Sequence, residues 1–138
     1  MALSRRIAVI GAGGWGTALA VLLAGRATLW VRRPELAKAI HEHGENREYL
    51  PGVPVPKSVL LTCDPAEAVH QAGIVLLAGP SQYVRKSAGM LAPYLTPGAI
   101  LVSAAKGLEL ESWKRMSEVI AEEIPGSTGR IAVLSGPN

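Results

Sequence analysis

The sequence predicts an α/β fold: a doubly wound, mainly parallel sheet with helices on both faces. Three observations carry this expectation. Short apolar runs recur along the 138 residues with helical segments between them. The runs are continuous rather than alternating, the pattern of parallel strands covered on both sides. The chain has no Phe, so its core draws on Ala, Val, Leu and Ile, whose small side chains let helices lie close to a sheet. Regular alternation of strand and helix then argues for parallel pairing through crossover helices.

Taken in order, IAVI (7–10) reads as a strand and TALAVLLA (17–24) as a helix. ATLWV (27–31) is a second strand, followed by a helix over 35–43. The Pro-rich ENREYLPGVPVP (45–56) is expected to be an ordered loop, and VLLT (59–62) a short strand. A short helix over 65–71 is expected to start at an N-cap on Asp64, with Pro65 at its first position. IVLLA (74–78) is a strand, 82–91 a helix and AILVSA (99–104) a strand. A helix over 109–123 would set Trp113, Met116 and Ile120 on one side, as core packing, with Glu122 and Glu123 on a solvated face. IAVLS (131–135) is the last strand. The chain stops directly after it, at LSGPN. Residues 1–138 are therefore expected to be one domain of a longer protein.

Composition excludes several classes. Net charge is +3, with no run of Lys or Arg longer than two. Nucleic-acid binders concentrate charge in a patch or stripe, so no nucleic-acid partner is expected. The mild basicity suits small anions such as phosphorylated molecules, or has no role. The single Cys63 makes no internal disulfide and is expected to be a small, inert, partly buried thiol. No secretory signal or membrane-length apolar run is visible, which makes the cytoplasm the expected location. His41 and His43 lie two apart on a helix and diverge, and His70 is isolated, so no metal site is expected.

The informative segment is GAGGWGTALA, residues 11–20. Strand, G-x-G-x-x-G, helix is a dinucleotide fingerprint of Rossmann-type folds. Gly11 would permit the tight turn, Gly13 the approach of a pyrophosphate, and Gly16 close packing of helix on strand. The helix N-terminus would offer unpaired N–H groups to phosphate. The alternative is a glycine-rich turn without a ligand. At the end of the second strand, where an acid usually holds the ribose 2′-hydroxyl, the sequence reads LWVRRPE. Arg32 and Arg33 suit a 2′-phosphate instead, Arg32 the better placed; alternatively both are simply solvated. A charge-assisted bond of about 1.5–3 kcal/mol would favour NADPH over NADH by about ten- to a hundredfold. Lys106 follows a strand end, on the side where such sheets bind ligands. It is either functional or an exposed lysine beside a turn glycine. Ser81, in PSQ, is explained by helix capping, with a nicotinamide-side role as the alternative.

These residues resemble a family. GAGGWGTALA, LWVRRPE, NREYLPGVPVP, LAGPSQ, SAAKGLE and LSGPN stand in the order and approximate spacing found in bacterial NAD(P)-dependent glycerol-3-phosphate dehydrogenases. The resemblance covers the whole chain and implies an NAD(P)-binding domain, with the family's all-helical second domain lying beyond it. It implies an oxidoreductase that interconverts dihydroxyacetone phosphate and sn-glycerol 3-phosphate, feeding glycerophospholipid synthesis. NADP is the expected cofactor, with NADPH preferred and NAD the alternative. It implies cofactor contacts at Gly14, Trp15, Arg32 and Tyr49, and a contact with both cofactor and substrate at Lys106. It implies substrate contacts at Gly136 and Asn138. The lysine taken as the family's proton donor would lie beyond Asn138, so this chain alone is expected to be inactive. A homodimer is compatible with the resemblance, although the sequence gives no oligomeric state.

The chain departs from the family at Gly14, where Ser is usual, at Gly79, where Val is common, and at Asn138, where Ser or Thr is usual. Competing readings are a related reductase, such as a ketopantoate reductase or a 6-phosphogluconate dehydrogenase, and a non-catalytic NAD(P)H-binding module.

Overall fold

Neighbouring residues of the first strand face opposite ways, and both ways lead into a core. In the computed structural model, which describes residues 5–135, Ala8 and Ile10 pack in one cluster with Val69, Val84, Leu91 and Ile120. Ile7 and Val9 pack in another with Leu19, Ala20, Leu36 and Ile40. A strand buried on both faces has no room for polar alternation, which is why its sequence is an unbroken apolar run.

The strands are β1 (Arg6–Ile10), β2 (Ala27–Trp30), β3 (Leu60–Thr62), β4 (Ala72–Leu77), β5 (Ile100–Ser103) and β6 (Ile131–Val133). They form one six-stranded sheet in the order β3-β2-β1-β4-β5-β6. Every pairing is parallel. The helices are α1 (Gly14–Leu22), α2 (Pro34–His43), α3 (Pro65–Val69), α4 (Ser81–Leu91) and α5 (Met116–Glu123). The apolar residues of α1 and α2 cover one face of the sheet, and those of α3, α4 and α5 the other. The chain winds outward from β1 to β3, then crosses to β4 on the other side of β1. That reversal opens a crevice at the C-terminal ends of β1 and β4.

Local chemistry accounts for several boundaries. Asp64 caps α3 as predicted: its Oδ1 accepts from the Ala66 amide at 2.9 Å, and Pro65 opens the helix. Gly44 ends α2 in the left-handed conformation, φ +65°, which costs a residue without Cβ nothing. The loop over 45–56 is ordered, as expected. Glu45 bridges Pro54, and the Gly52 amide donates to Glu45 Oε2 at 2.9 Å.

Four expectations are corrected. Helix α1 starts at Gly14, three residues earlier than its apolar pattern, because first-turn amides need no intrahelical partner and tolerate glycine there. The helix expected over 109–123 exists only from Met116 onward. Before it, Leu108 and Arg115 bridge, while Glu111 and Trp113 take φ values of +70° and +58° that exclude a right-handed helix. The expected stripe therefore breaks: Met116 and Ile120 are buried, but Trp113 is 71% exposed. Ser81 does not cap α4; Pro80 holds the cap position without a side-chain bond, and Ser81 Oγ accepts from Gln82 Nε2 at 3.1 Å. Finally, Glu122 and Glu123 are not simply solvated but pair with Arg85 at 2.9 and 2.7 Å.

Candidate functional site

The glycine turn sits at the crevice, and each glycine answers to a different constraint. Gly11 has φ +117°, and a Cβ on it would lie 2.9 Å from the Gly79 amide nitrogen. A Cβ on Gly16 would lie 1.8 Å from the Gly11 carbonyl oxygen, inside its van der Waals envelope. These two let β1, α1 and the end of β4 meet. Gly13 is different: a Cβ there would meet nothing within 4 Å. It faces an open cleft of about 320 Å³, bordered by Arg32, Tyr49, Gly79 and Tyr83. Gly13 is also the N-cap of α1, with no side-chain capping bond and no acid in the first turn. The unpaired amides of that turn carry a partial positive charge. A cleft floored by such amides suits a pyrophosphate.

The second and third walls come from β2 and the loop over 45–56. Arg33 and Arg32 divide the work. Arg33 Nη2 donates to Glu48 Oε1 at 2.6 Å and lies 3.5 Å from the Tyr49 hydroxyl. That hydrogen bond holds the Glu48 carboxyl below its usual range. Arg32 has no ion pair among the described residues; its guanidinium carbon stands 5.7 Å from the centroid of the Tyr83 ring. Arg33 is thus neutralised by its neighbour, while Arg32 keeps its charge for the cleft.

Tyr49 packs against Gly14. Its carbonyl oxygen would lie 2.8 Å from a Cβ on Gly14. The absent side chain at Gly14 thus has a local cause: the loop backbone occupies its space. That loop is held by Asn46, which the sequence reading missed. Asn46 is fully buried. Its Nδ2 donates to the Ala12 carbonyl and to Thr17 Oγ1, both at 2.9 Å, and its Oδ1 accepts from the Tyr49 amide at 3.2 Å. In a polar segment, nothing in the sequence marks this Asn as inward-facing. Tyr83 was also missed, although it follows PSQ at a strand end already singled out.

Trp15 links the turn to the Lys106 segment. Its Nε1 donates to the Ala104 carbonyl at 3.2 Å, joining residues far apart in sequence. Lys106 follows two residues later, exposed, with no hydrogen bond or ion pair to the described residues. It borders a second cavity of about 440 Å³, shared with Ser103, Arg115, Ser117 and Ser135. The Ser103 hydroxyl is buried there and has no hydrogen-bond partner among the described residues. Gly136 and Asn138 lie outside the described residues. No cluster of His, Cys, Asp or Glu suited to a metal occurs among the described residues. None of their helices is long and apolar enough to cross a membrane.

A parallel sheet in this strand order, with a glycine turn leading into a helix at the point of reversal, defines the Rossmann class of folds. Within that class, the chain belongs to the family described as NAD-dependent glycerol-3-phosphate dehydrogenase N-terminus, whose family model matches residues 6–138. Over 135 residues it is 54% identical to glycerol-3-phosphate dehydrogenase (NAD(P)+) of Moorella thermoacetica, an alignment covering 96% of this chain and 39% of that protein. To the enzyme of that name from Corynebacterium glutamicum it is 50% identical over 135 residues, covering 96% of this chain and 41% of the relative. The crystal structure of glycerol-3-phosphate dehydrogenase from Coxiella burnetii is similar with a TM-score of 0.85 at 30% identity, covering 98% of this chain and 42% of that one. The chain thus spans about two fifths of the length of these relatives.

Proposed function

We propose that this chain is the cofactor-binding part of an oxidoreductase that interconverts dihydroxyacetone phosphate and sn-glycerol 3-phosphate with NAD(P)H. The observation that carries the reading is the uncapped N-terminus of α1 opening through Gly13 into a cleft beside Arg32, which has no ion pair among the described residues. The relatives' names supply the substrate class and the cofactor.

On this reading the α1 amides hold the pyrophosphate, Arg32 receives the 2′-phosphate of NADPH, and Tyr49 and Trp15 border the cofactor. Arg33 acts through the loop, by holding Glu48 and Tyr49. The nicotinamide supplies the hydride for the ketone carbon. Lys106 steadies substrate oxygen and the negative charge that develops on it. Gly136 and Asn138 complete the substrate contacts. The product feeds glycerophospholipid synthesis in the cytoplasm.

The test has two arms. Titrated with NADPH, the chain should quench its tryptophan fluorescence saturably; absence of binding overturns the cofactor reading. The protein at the length of its relatives should oxidise NADPH with dihydroxyacetone phosphate and not with ketopantoate. The reverse preference would place it among the related reductases.

A further inference from the structure

The segment that follows Lys106 buries no apolar side chain before Met116. Leu108, Leu110 and Trp113 are 45%, 61% and 71% exposed, and Gly107 turns the chain with φ +101°. A loop without an apolar anchor is not held by packing, so polar bonds must set its position. Those bonds converge on two residues of α4. Gln82 grips the loop backbone on both sides of Glu109. Its Nε2 donates to the Leu108 carbonyl at 3.0 Å, and its Oε1 accepts from the Leu110 amide at 3.0 Å. Arg85 grips the intervening side chain. Its Nε and Nη2 donate to the two carboxylate oxygens of Glu109, each at 2.8 Å. Such a two-pronged bond fixes orientation as well as distance.

Arg85 is itself immobilised from behind, by Glu123 at 2.7 Å and Glu122 at 2.9 Å on α5. Lys114, at the far end of the loop, also pairs with Glu122, and Ser112 Oγ donates to Glu109 Oε1 at 2.6 Å. The loop is therefore tied at 108, 109, 110 and 114 to a frame made of α4 and α5, and Ser112 braces Glu109 from within the loop. The same helix lends Tyr83, and its cap residue Pro80, to the cofactor cleft. One rigid element thus sets both the cleft and the turn that presents Lys106.

The geometry points to Gln82 and Arg85 as positioning residues: neither lines the cofactor cleft or the cavity beside Lys106, but together they hold Lys106 in register with the cleft. This assignment rests on the function proposed above for Lys106. The clamp itself is a property of this chain and can be read without turnover.

The test pairs Gln82→Met, an exposed substitution of similar shape that removes both backbone bonds, with Arg85→Lys, which keeps the charge but loses the fork. Amide exchange at Glu109 and Leu110, measured on the 138-residue chain, should accelerate by about tenfold or more in each, with exchange in β1 and β4 unchanged. NADPH affinity should stay within about twofold. In protein of the relatives' length, kcat with dihydroxyacetone phosphate should fall by about tenfold or more, with the KM for NADPH unchanged. Unchanged exchange at Glu109 and Leu110 in both variants overturns the clamp. Faster exchange with undiminished kcat overturns the positioning role. If the unsubstituted full-length protein does not reduce dihydroxyacetone phosphate, the functional reading fails, and exchange alone decides for or against the clamp.

Discussion

Asn46 donates to the carbonyl of Ala12 across 34 positions of sequence, at 2.9 Å. With its second bond to Thr17 and the one it accepts from Tyr49, it staples the loop over 45–56 onto the glycine turn. Asn46→Ala would leave a buried hydroxyl and two backbone groups short of partners. The expected cost is about 2–4 kcal/mol, a fall in Tm of about 10 °C, and weaker NADPH binding. Thermal unfolding and fluorescence titration check this. A Tm within about 2 °C of the parent would mean that water replaces the amide.

Gly14→Ser tests whether the missing side chain is structural. A Cβ 2.8 Å from the Tyr49 carbonyl oxygen is closer than backbone can accept, so loop or helix must move. Overpacking of this kind costs about 1–3 kcal/mol. Urea unfolding should show it, together with loss of the Asn46-dependent protection of the Tyr49 amide. Unaltered stability would show that the loop yields freely.

The division between the two arginines predicts unequal phenotypes. Arg32→Ala should weaken NADPH by about ten- to a hundredfold, the value of one charge-assisted bond, and leave NADH unchanged. Arg33→Ala should weaken both cofactors alike, because it releases Glu48 and Tyr49 rather than a phosphate contact. Parallel titrations distinguish these outcomes. An equal loss for both cofactors in Arg32→Ala would remove it from the 2′-phosphate.

Acid should loosen the Lys106 segment before the sheet. Arg85, and secondarily Ser112, hold the Glu109 carboxyl at about 2, against an ordinary value of 4.5. A folded-state value below the unfolded one contributes stability that is present above the unfolded value and lost as pH falls through the folded one. The window is therefore pH 4.5 down to about 2. Across it, exchange at Glu109 and Leu110 should accelerate, while Glu109→Gln should show no such change. A transition in that window shared by the β1 amides would mean global unfolding instead.

Much of this protein was legible in its sequence because the relevant physics is local. Apolar runs mark strands that must be buried on both faces, and Asp64-Pro65 announces a helix start through one side-chain bond. Gly11 and Gly16 mark a turn because only glycine survives the left-handed backbone at one and the contact with a carbonyl at the other. Arg32 could be singled out because a basic residue stands at the strand end where an acid is usual. The tertiary structure decided what depends on partners distant in the chain. It sent Trp15 to Ala104 across 89 positions, turned Asn46 inward, neutralised Arg33 but not Arg32, and unwound residues 109–115 so that Glu109 could meet Arg85. Polar side chains in polar segments look alike in sequence, since water satisfies any of them; only the packed sheet and helices determine which ones exchange water for a fixed partner.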